Sequence, residues 1–242
     1  YEADYEFGKR RAVLADTATF HSPVMWRNLA DNGFLGLLAP EDVGGFDGGG
    51  AEVLAVAAEM SRHLALEPFL ATAIMGVRAL ALFGNDSQKR DILPKVVSGQ
   101  ATLAVALYEP GQRYGVASHG TEAQTDGDEY LLNGAKAVVI GGDSADLIIV
   151  GARLVEGMPA IFMVPTTIDG LGKNFYRLVD GRGAADLTFS GVRVGSGARM
   201  TVSDAELALA EIEDWAVTAS LAESLGAMEV AKDLTQDYLQ TR

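Results

Sequence analysis

The stretch that decides the fold is residues 121–140, which read TEAQTDGDEYLLNGAKAVVI. Asp126-Gly127 lies between two runs of strand-forming residues, and Asp-Gly tolerates the positive φ angles of a type I′ turn. The pair predicts a hairpin between residues 121–124 and 130–132. Further short β-rich runs, separated by Gly, Asp and Pro, occur at residues 102–107, 138–140, 147–150, 161–164 and 187–189. This spacing predicts an antiparallel β-barrel or sandwich.

Helical signals fill the first hundred residues. Ser22 is a candidate N-cap, and Pro23 follows it at the first helical position. Asn32-Gly33 ends this predicted helix. Apolar residues at helical spacing predict further helices over residues 51–63, 70–83 and 88–97, with Ser87 capping the last. This part of the chain is predicted to be all-α.

The chain becomes helical again from about residue 203, without Gly or Pro until Gly226. Leu221, Leu225 and Met228 mark an apolar stripe on this long helix. Because the pattern runs to Thr241-Arg242 without a cap, we expect a further C-terminal helical region to pack on it. The predicted fold is α+β with segregated segments. Its parts are an N-terminal helical domain (residues 1–100), a middle antiparallel β-barrel-like domain (101–200) and the first helix of a C-terminal helical domain (201–242).

Composition excludes several classes of function. The 242 residues carry 33 acidic and 19 basic side chains, a net charge of −14, which argues against a nucleic-acid-binding surface. The absence of cysteine excludes disulfides, a thiolate nucleophile, zinc–thiolate sites and iron–sulfur clusters, and it suits a cytoplasmic protein. The longest apolar run, residues 69–77, is too short to span a membrane, and the acidic start of the chain does not resemble a signal peptide.

Motifs for hydrolytic, metal or phosphate chemistry are weak. Three histidines are too scattered to predict a metal cluster: His21, His63 and His119. Residues 44–50 lack the Lys-Ser/Thr ending of a P-loop, and Gly181-Arg182-Gly183 leads into a strand instead of opening a helix, so both are predicted to be turns. Glu109, next to a proline, is predicted to cap a turn.

Six segments in a fixed order carry the strongest signal: LGLLAPEDVGG (35–45), LYEPG (107–111), YLLNGAK (130–136), ADLIIV (145–150), VRV (192–194) and YLQTR (238–242). With the helix–sheet–helix order, they resemble the acyl-CoA dehydrogenase family over residues 20–242. The resemblance implies a flavoprotein in which FAD lies between the β domain and the C-terminal bundle, and is touched by a neighbouring subunit of a dimer or tetramer.

The family's reaction is the α,β-desaturation of an acyl-CoA thioester. A Glu carboxylate removes the α proton, and hydride leaves the β carbon for flavin N5. The resemblance also implies an electron-transfer flavoprotein or similar acceptor as partner. It places the catalytic Glu beyond residue 242, so the catalytic residue of this chain is unknown.

The family's loop Thr-Glu-Pro-Gly-x-Gly-Ser-Asp falls on residues 108–115. Tyr108 replaces the Thr that hydrogen-bonds the flavin pyrimidine edge. Arg113 and Tyr114 replace the Gly-Ser pair near the pyrophosphate and the CoA side, and are the candidate substrate-binding residues. The Tyr108 hydroxyl can still donate to a flavin, and Arg113 can neutralise a phosphate; filling of a vacated pocket by the two side chains is the alternative.

The family's Trp-Ile-Thr strand beside flavin N5 falls on Val138, Val139 and Ile140, so its polar contacts are lost. Backbone N–H groups of Leu107, Tyr108, Val139 and Ile140 can still serve a flavin. Arg242 matches the family arginine that reaches a neighbour's FAD pyrophosphate. The candidate cofactor-binding residues are Leu107, Tyr108, Val138, Val139, Ile140 and Arg242.

These departures leave three hypotheses open. The first is an FAD-dependent acyl-CoA dehydrogenase, or a subunit of one. The second is a non-catalytic partner that has lost its own flavin site and supports a homologous active chain in a mixed oligomer. The third is a flavin monooxygenase or oxidase on the same scaffold, which needs no α-proton base.

Overall fold

A computed structural model describes residues 7–16, 19–112 and 120–241 of the chain. The order of elements is helices, then strands, then one long helix, as predicted. The α-helices are α1 (Phe7–Ala15), α2 (Pro23–Asp31), α3 (Gly50–Arg62), α4 (Val77–Phe83), α5 (Asp86–Val97) and α6 (Ala205–Thr241). The strands are β1 (Leu103–Ala106), β2 (Glu122–Asp126), β3 (Glu129–Ile140), β4 (Leu147–Leu154), β5 (Pro159–Pro165), β6 (Leu171–Arg177) and β7 (Gly183–Gly195).

The ends of the helices follow local capping chemistry. The Ser22 side chain accepts a hydrogen bond from the Met25 N–H, which confirms the predicted cap of α2. The predicted Ser87 cap of α5 is wrong. Asn85 caps this helix in a reciprocal box with Gln88, at 2.9 and 3.0 Å, while the Ser87 hydroxyl donates to Asp91.

The helix predicted over residues 70–83 begins as a π-helix, Leu70–Gly76, and continues as α4. This segment is fully buried and lies against β1. The Thr72 hydroxyl donates to the Leu103 carbonyl (2.8 Å) and accepts from the Leu103 N–H (3.1 Å). At Gly76 an added Cβ would lie 2.5 Å from the Leu103 Cβ, so glycine permits this close packing.

The strands form one curled sheet in the order β1-β4-β2-β3-β7-β6, with β5 also paired to β4. The predicted hairpin is confirmed, since β2 and β3 pair antiparallel around Asp126-Gly127. Pairing is not antiparallel throughout, because β4 runs parallel to both β1 and β2. The sequence did not predict β6, since its exposed residues Gly172, Lys173 and Asn174 interrupt the apolar pattern.

One hydrophobic core joins the helices to the sheet. Side chains of α2, α3, the π-helical segment, β1 and α6 meet in it, among them Leu29, Val53, Ile74, Leu103 and Ile212. A second cluster fills the interior of the sheet. Within the described ranges, no helix has the length and apolar character needed to cross a membrane.

The long helix α6 packs on α3 through small residues, including Ala219, Ala222 and Gly226. At Gly226 an added Cβ would lie 2.0 Å from the Ala58 carbonyl oxygen, so the two helices approach at backbone distance. The apolar stripe of the sequence lies on the opposite side of α6, and its three members are 65%, 48% and 62% exposed: Leu221, Leu225 and Met228.

Candidate functional site

The structure brings two of the predicted site segments together at one end of the sheet. Leu107 and Tyr108 directly follow β1, and Val138, Val139 and Ile140 end β3. The two segments touch through the Ala137 N–H, which donates to the Tyr108 carbonyl (2.9 Å). Three further candidates lie outside the described residues: Arg113, Tyr114 and Arg242.

Tyr108 bridges the sheet to the long helix. Its hydroxyl donates to the Glu213 carboxylate on α6, at 2.5 Å. Burial of the phenol, followed by its hydrogen bond to Glu213 and the charge of that carboxylate, raises the pKa of Tyr108 to about 12. The phenol therefore stays protonated, and its hydroxyl donates to Glu213. The resemblance expects a hydrogen-bond donor to a flavin at this position.

Val138 lies in a bulge where the register of β3 against β7 shifts between Lys136 and Val139. Its φ is +52°, a left-handed conformation that a β-branched residue rarely adopts, and its side chain is 47% exposed. The Val138 N–H donates to the Asp186 carboxylate on β7 (3.0 Å). Asp186 thus holds the bulge, and the N–H of Val138 points to a partner within the chain.

Asp186 accepts a second hydrogen bond, from the hydroxyl of Tyr176 on β6. This hydroxyl donates to Oδ1, the oxygen that also accepts from the Val138 N–H, at 2.7 Å. Burial and this hydrogen bond raise the pKa of Tyr176 to about 12. Sequence reasoning missed Asp186, since a lone aspartate after Gly181-Arg182-Gly183 carries no motif. The turn predicted at Gly181 is present between β6 and β7, whereas in the stretch 44–50 a turn ends at Gly44 and residues 45–49 are irregular.

The sequence predicted that Glu109 caps a turn. In the structure its carboxylate instead forms a buried ion pair with Lys136 of β3. The Lys136 Nζ donates to the Glu109 Oε1 at 3.0 Å, and the Lys136 side chain is 0% exposed. The N–H groups of Gly120 and Thr121 also donate to this carboxylate, at 2.8 and 3.0 Å. The carboxylate therefore fastens the end of β1, the start of β2 and the middle of β3 at one point.

The environment of Glu109 keeps it ionised. Burial alone would raise its pKa, but the hydrogen bonds from Thr121 and Gly120 and the charge of Lys136 outweigh burial and lower the pKa to about 2. The sequence carried a signal for this pair. Glu109 is the one charged residue of the segment LYEPG, and Lys136 is the one charged residue of YLLNGAK.

Among the described candidates, the side chains offer no unbonded donor to the edge of a flavin ring. A flavin edge needs hydrogen-bond donors from the protein. Here the Tyr108 hydroxyl and the Val138 N–H are bonded to carboxylates, Val139 is buried, and Ile140 offers a hydrocarbon where the family has a hydroxyl. The assignment of Leu107, Tyr108, Val138, Val139, Ile140 and Arg242 as cofactor-binding residues stays a prediction.

The site also offers little for metal chemistry. In the part of the chain that the structure describes, no three His, Asp or Glu side chains are grouped to hold a metal ion. His21 is half-buried beside Trp26, with ring centroids 6.0 Å apart, and burial lowers its pKa. His63 lies 3.4 Å from the Glu59 carboxylate at the end of α3.

Comparison with known proteins places this architecture. Residues 4–100 match the family model described as acyl-CoA dehydrogenase, N-terminal domain. The whole fold is similar to a solved variant of the Tcur3481-Tcur3483 steroid ACAD, with 33% identity and a TM-score of 0.86 over 99% of this chain and 63% of that one. The chain belongs to the acyl-CoA dehydrogenase family.

Two further relatives show how much of the family architecture is covered. The chain is 33% identical over 157 residues to acyl-CoA dehydrogenase FadE12 of Mycobacterium tuberculosis, an alignment that covers 62% of this chain and 40% of the relative. It is 26% identical to a chain of the ChsE4-ChsE5 complex of the same organism, with a TM-score of 0.88 over 100% of this chain and 64% of that one. The chain thus spans less than two thirds of these relatives.

Proposed function

We propose that this chain is a subunit of an FAD-dependent acyl-CoA dehydrogenase that desaturates an acyl-CoA thioester. Within that enzyme it is the partner that holds no flavin of its own. The observation that carries the proposal is the hydrogen bond from Tyr108, which follows β1, to Glu213 on α6. It engages the one polar side chain that stands where the resemblance expects the Thr that binds the flavin. The Asp186 carboxylate on the Val138 N–H supports the same conclusion.

A mixed oligomer accounts for a chain that keeps the fold and has lost the flavin contacts. Two of the similar structures have names that join two components, Tcur3481-Tcur3483 and the ChsE4-ChsE5 complex. In such an assembly the homologous chain would hold FAD and supply the catalytic Glu. This chain would contribute Arg242 to the neighbour's FAD and Arg113 and Tyr114 to the acyl-CoA, and an electron-transfer flavoprotein would accept the electrons.

A second candidate is a dehydrogenase that binds its own FAD in a homo-oligomer. Its support is the similarity to FadE12, a relative that is named as an acyl-CoA dehydrogenase without a second component. This candidate requires the Tyr108 phenol to leave Glu213 and turn toward a flavin. The half-buried position of Tyr108 makes such a rotation sterically simpler than it would be in the core.

The visible absorption spectrum of the full-length protein separates the two candidates. We expect no flavin band from the protein purified alone, and one FAD for each pair of chains after co-expression with a homologous chain that has the family's Thr and Trp-Ile-Thr residues. One FAD per chain in the protein purified alone would refute the partner role. Tyr108→Phe serves as the matched control, since it keeps the ring that fills the position and removes only the hydroxyl.

A further inference from the structure

An open cavity of about 360 Å³ lies between the end of α3, the turn between β6 and β7, and α6. The apolar part of its lining comes from the end of α3 and the segment that follows, and includes Met60, Leu64 and Phe69. Ser220 and Ser224 of α6 also line it and are exposed, so the cavity is open to solvent along that helix. The volume is in the range of sites that take small organic molecules.

The apolar part of the lining contains a strained residue. Leu64 follows α3 with a φ of +53°, the left-handed conformation in which glycine usually ends a helix. Two backbone bonds fix this geometry. The Leu64 N–H donates to the Ser61 carbonyl at 3.0 Å, and the next N–H, that of Ala65, donates to the Met60 carbonyl at 3.3 Å. The Leu64 side chain is nevertheless 46% exposed, so a strained leucine keeps apolar surface that a ligand can cover.

The charged part of the lining holds one guanidinium between two carboxylates. Arg182 donates to both oxygens of Glu223 on α6, at 3.0 and 3.1 Å, and to the Asp180 carboxylate at 2.7 Å. Arg10 adds a second guanidinium, but its two hydrogen bonds go to backbone carbonyls, at 2.9 and 2.8 Å. Together with Glu67, the lining carries three carboxylates against two guanidinium groups, a net charge of −1.

The polar groups that α6 contributes are hydrogen-bond acceptors. The hydroxyls of Ser220 and Ser224 each donate to a carbonyl one turn earlier in the helix at 2.8 Å, so their oxygens remain as acceptors. Arg182 reaches Glu223 through a single nitrogen, Nη1, which leaves this carboxylate further acceptor positions. Burial raises the pKa of Glu223 and the charge of Arg182 offsets this only in part, so the carboxylate is incompletely neutralised. A donor that carries a positive charge fits this set of groups.

We propose that this cavity binds an organic cation that consists of an ammonium group on an apolar chain. The ammonium donates to Glu223 and to the serine oxygens of α6, while the chain covers Leu64 and lies along the apolar part of the lining. A carboxylate in place of the ammonium meets a lining of the same sign, and an alcohol lacks the charge. The proposal is independent of the flavin question, because none of the predicted cofactor contacts lines this cavity.

Isothermal titration calorimetry of the full-length protein tests the proposal with three probes of equal chain length: octylammonium, octanol and octanoate, each below its micellar concentration. We expect octylammonium to bind at least about 10-fold more tightly than octanol, because its bond to Glu223 is charge-assisted, and octanoate to bind more weakly than octanol. Equal binding of octylammonium and octanol, tightest binding of octanoate, or binding of none of the three would overturn the proposal.

Glu223→Gln separates the contribution of the carboxylate from that of the apolar lining. The affinity for octylammonium should fall by about 10-fold or more, whereas the affinity for octanol should stay unchanged. Glu229→Gln is the matched control, because it removes a carboxylate of the same helix that pairs with Arg62 at 3.0 Å outside the cavity, and it should bind like the wild type. An unchanged affinity of Glu223→Gln for octylammonium contradicts the proposal. If this variant fails to fold, the three probes on the wild type decide.

Leu64→Gly tests the apolar part of the lining with a result that poor folding cannot imitate. Glycine relieves the positive φ, so the melting temperature should rise. Octylammonium and octanol should both bind at least about 3-fold more weakly, because the side chain that covers the ligand is removed. A variant that melts higher and binds both probes as tightly as the wild type would show that the chain does not lie on Leu64, and would overturn the proposal.

Discussion

Replacing Lys136 with Met tests the buried ion pair at the junction of β1, β2 and β3. The Lys136 side chain is fully buried and that of Glu109 is 7% exposed, so the variant leaves a carboxylate in a nearly dry site without the Lys136 charge. Removing one partner of such a pair costs about 3–5 kcal/mol in the free energy of unfolding. The bonds from Gly120 and Thr121 to Glu109 remain, which favours the lower end of this range.

Urea unfolding followed by circular dichroism measures this cost, with the midpoint and slope fitted for each variant. The double variant Lys136→Met/Glu109→Gln is the matched control, because it removes both charges. It should recover at least half of the loss, since an apolar side chain replaces a buried charge and the amide still hydrogen-bonds. A cost below about 1 kcal/mol for Lys136→Met would refute the reasoning, as it is the value of an exposed pair.

The remaining predictions concern pH, backbone strain and helix packing. Because the pKa of Glu109 lies at about 2 in the folded state against its usual 4.5, the stabilisation is complete above about pH 5 and is lost as the pH falls toward 2. Acid unfolding of Glu109→Gln should lack this part of the pH dependence, and an unchanged curve would contradict the assignment. Val138→Gly should raise the free energy of unfolding by about 0.5–1 kcal/mol by relieving the positive φ, whereas a loss measured in urea would show that the exposed side chain contributes packing. Gly226→Ala should lower the melting temperature and cost about 1–3 kcal/mol despite the better helix propensity of Ala, because the methyl meets the Ala58 carbonyl. A stability equal to that of the wild type would mean that α3 and α6 can move apart freely.

Local chemistry made much of the fold predictable. The Ser22 cap and the Asp126-Gly127 turn depend only on hydrogen bonds and backbone angles of residues close by in the chain. The sequence alone therefore predicted α2 and the hairpin. The strand β6 was missed because its pairing with β7 stabilises it in spite of its polar residues. The parallel pairing of β1 with β4 joins segments more than forty residues apart, and no local pattern predicts it.

The candidate site shows the same division. Its candidate segments came from the family resemblance, and in the structure the segments of Tyr108 and Val138 lie together at one end of the sheet. The partners that decide their chemistry, Glu213 and Asp186, come from α6 and β7 and carry no motif. Which donors are already bonded depends on contacts across the fold, and these contacts follow only from the three-dimensional arrangement.

The core shared by α2, α3 and α6 has a consequence for synthesis of the chain. Leu29 and Val53 are made early, whereas Ile212 and Ala222, which belong to the same core, leave the ribosome only after the whole sheet has been made. Contacts of such sequence separation form slowly, and incompletely packed helices expose apolar surface while they wait. Nascent chains of this protein should therefore depend on chaperones until α6 emerges, and release of a chain that stops before Ala222 should yield aggregates instead of a soluble helical domain.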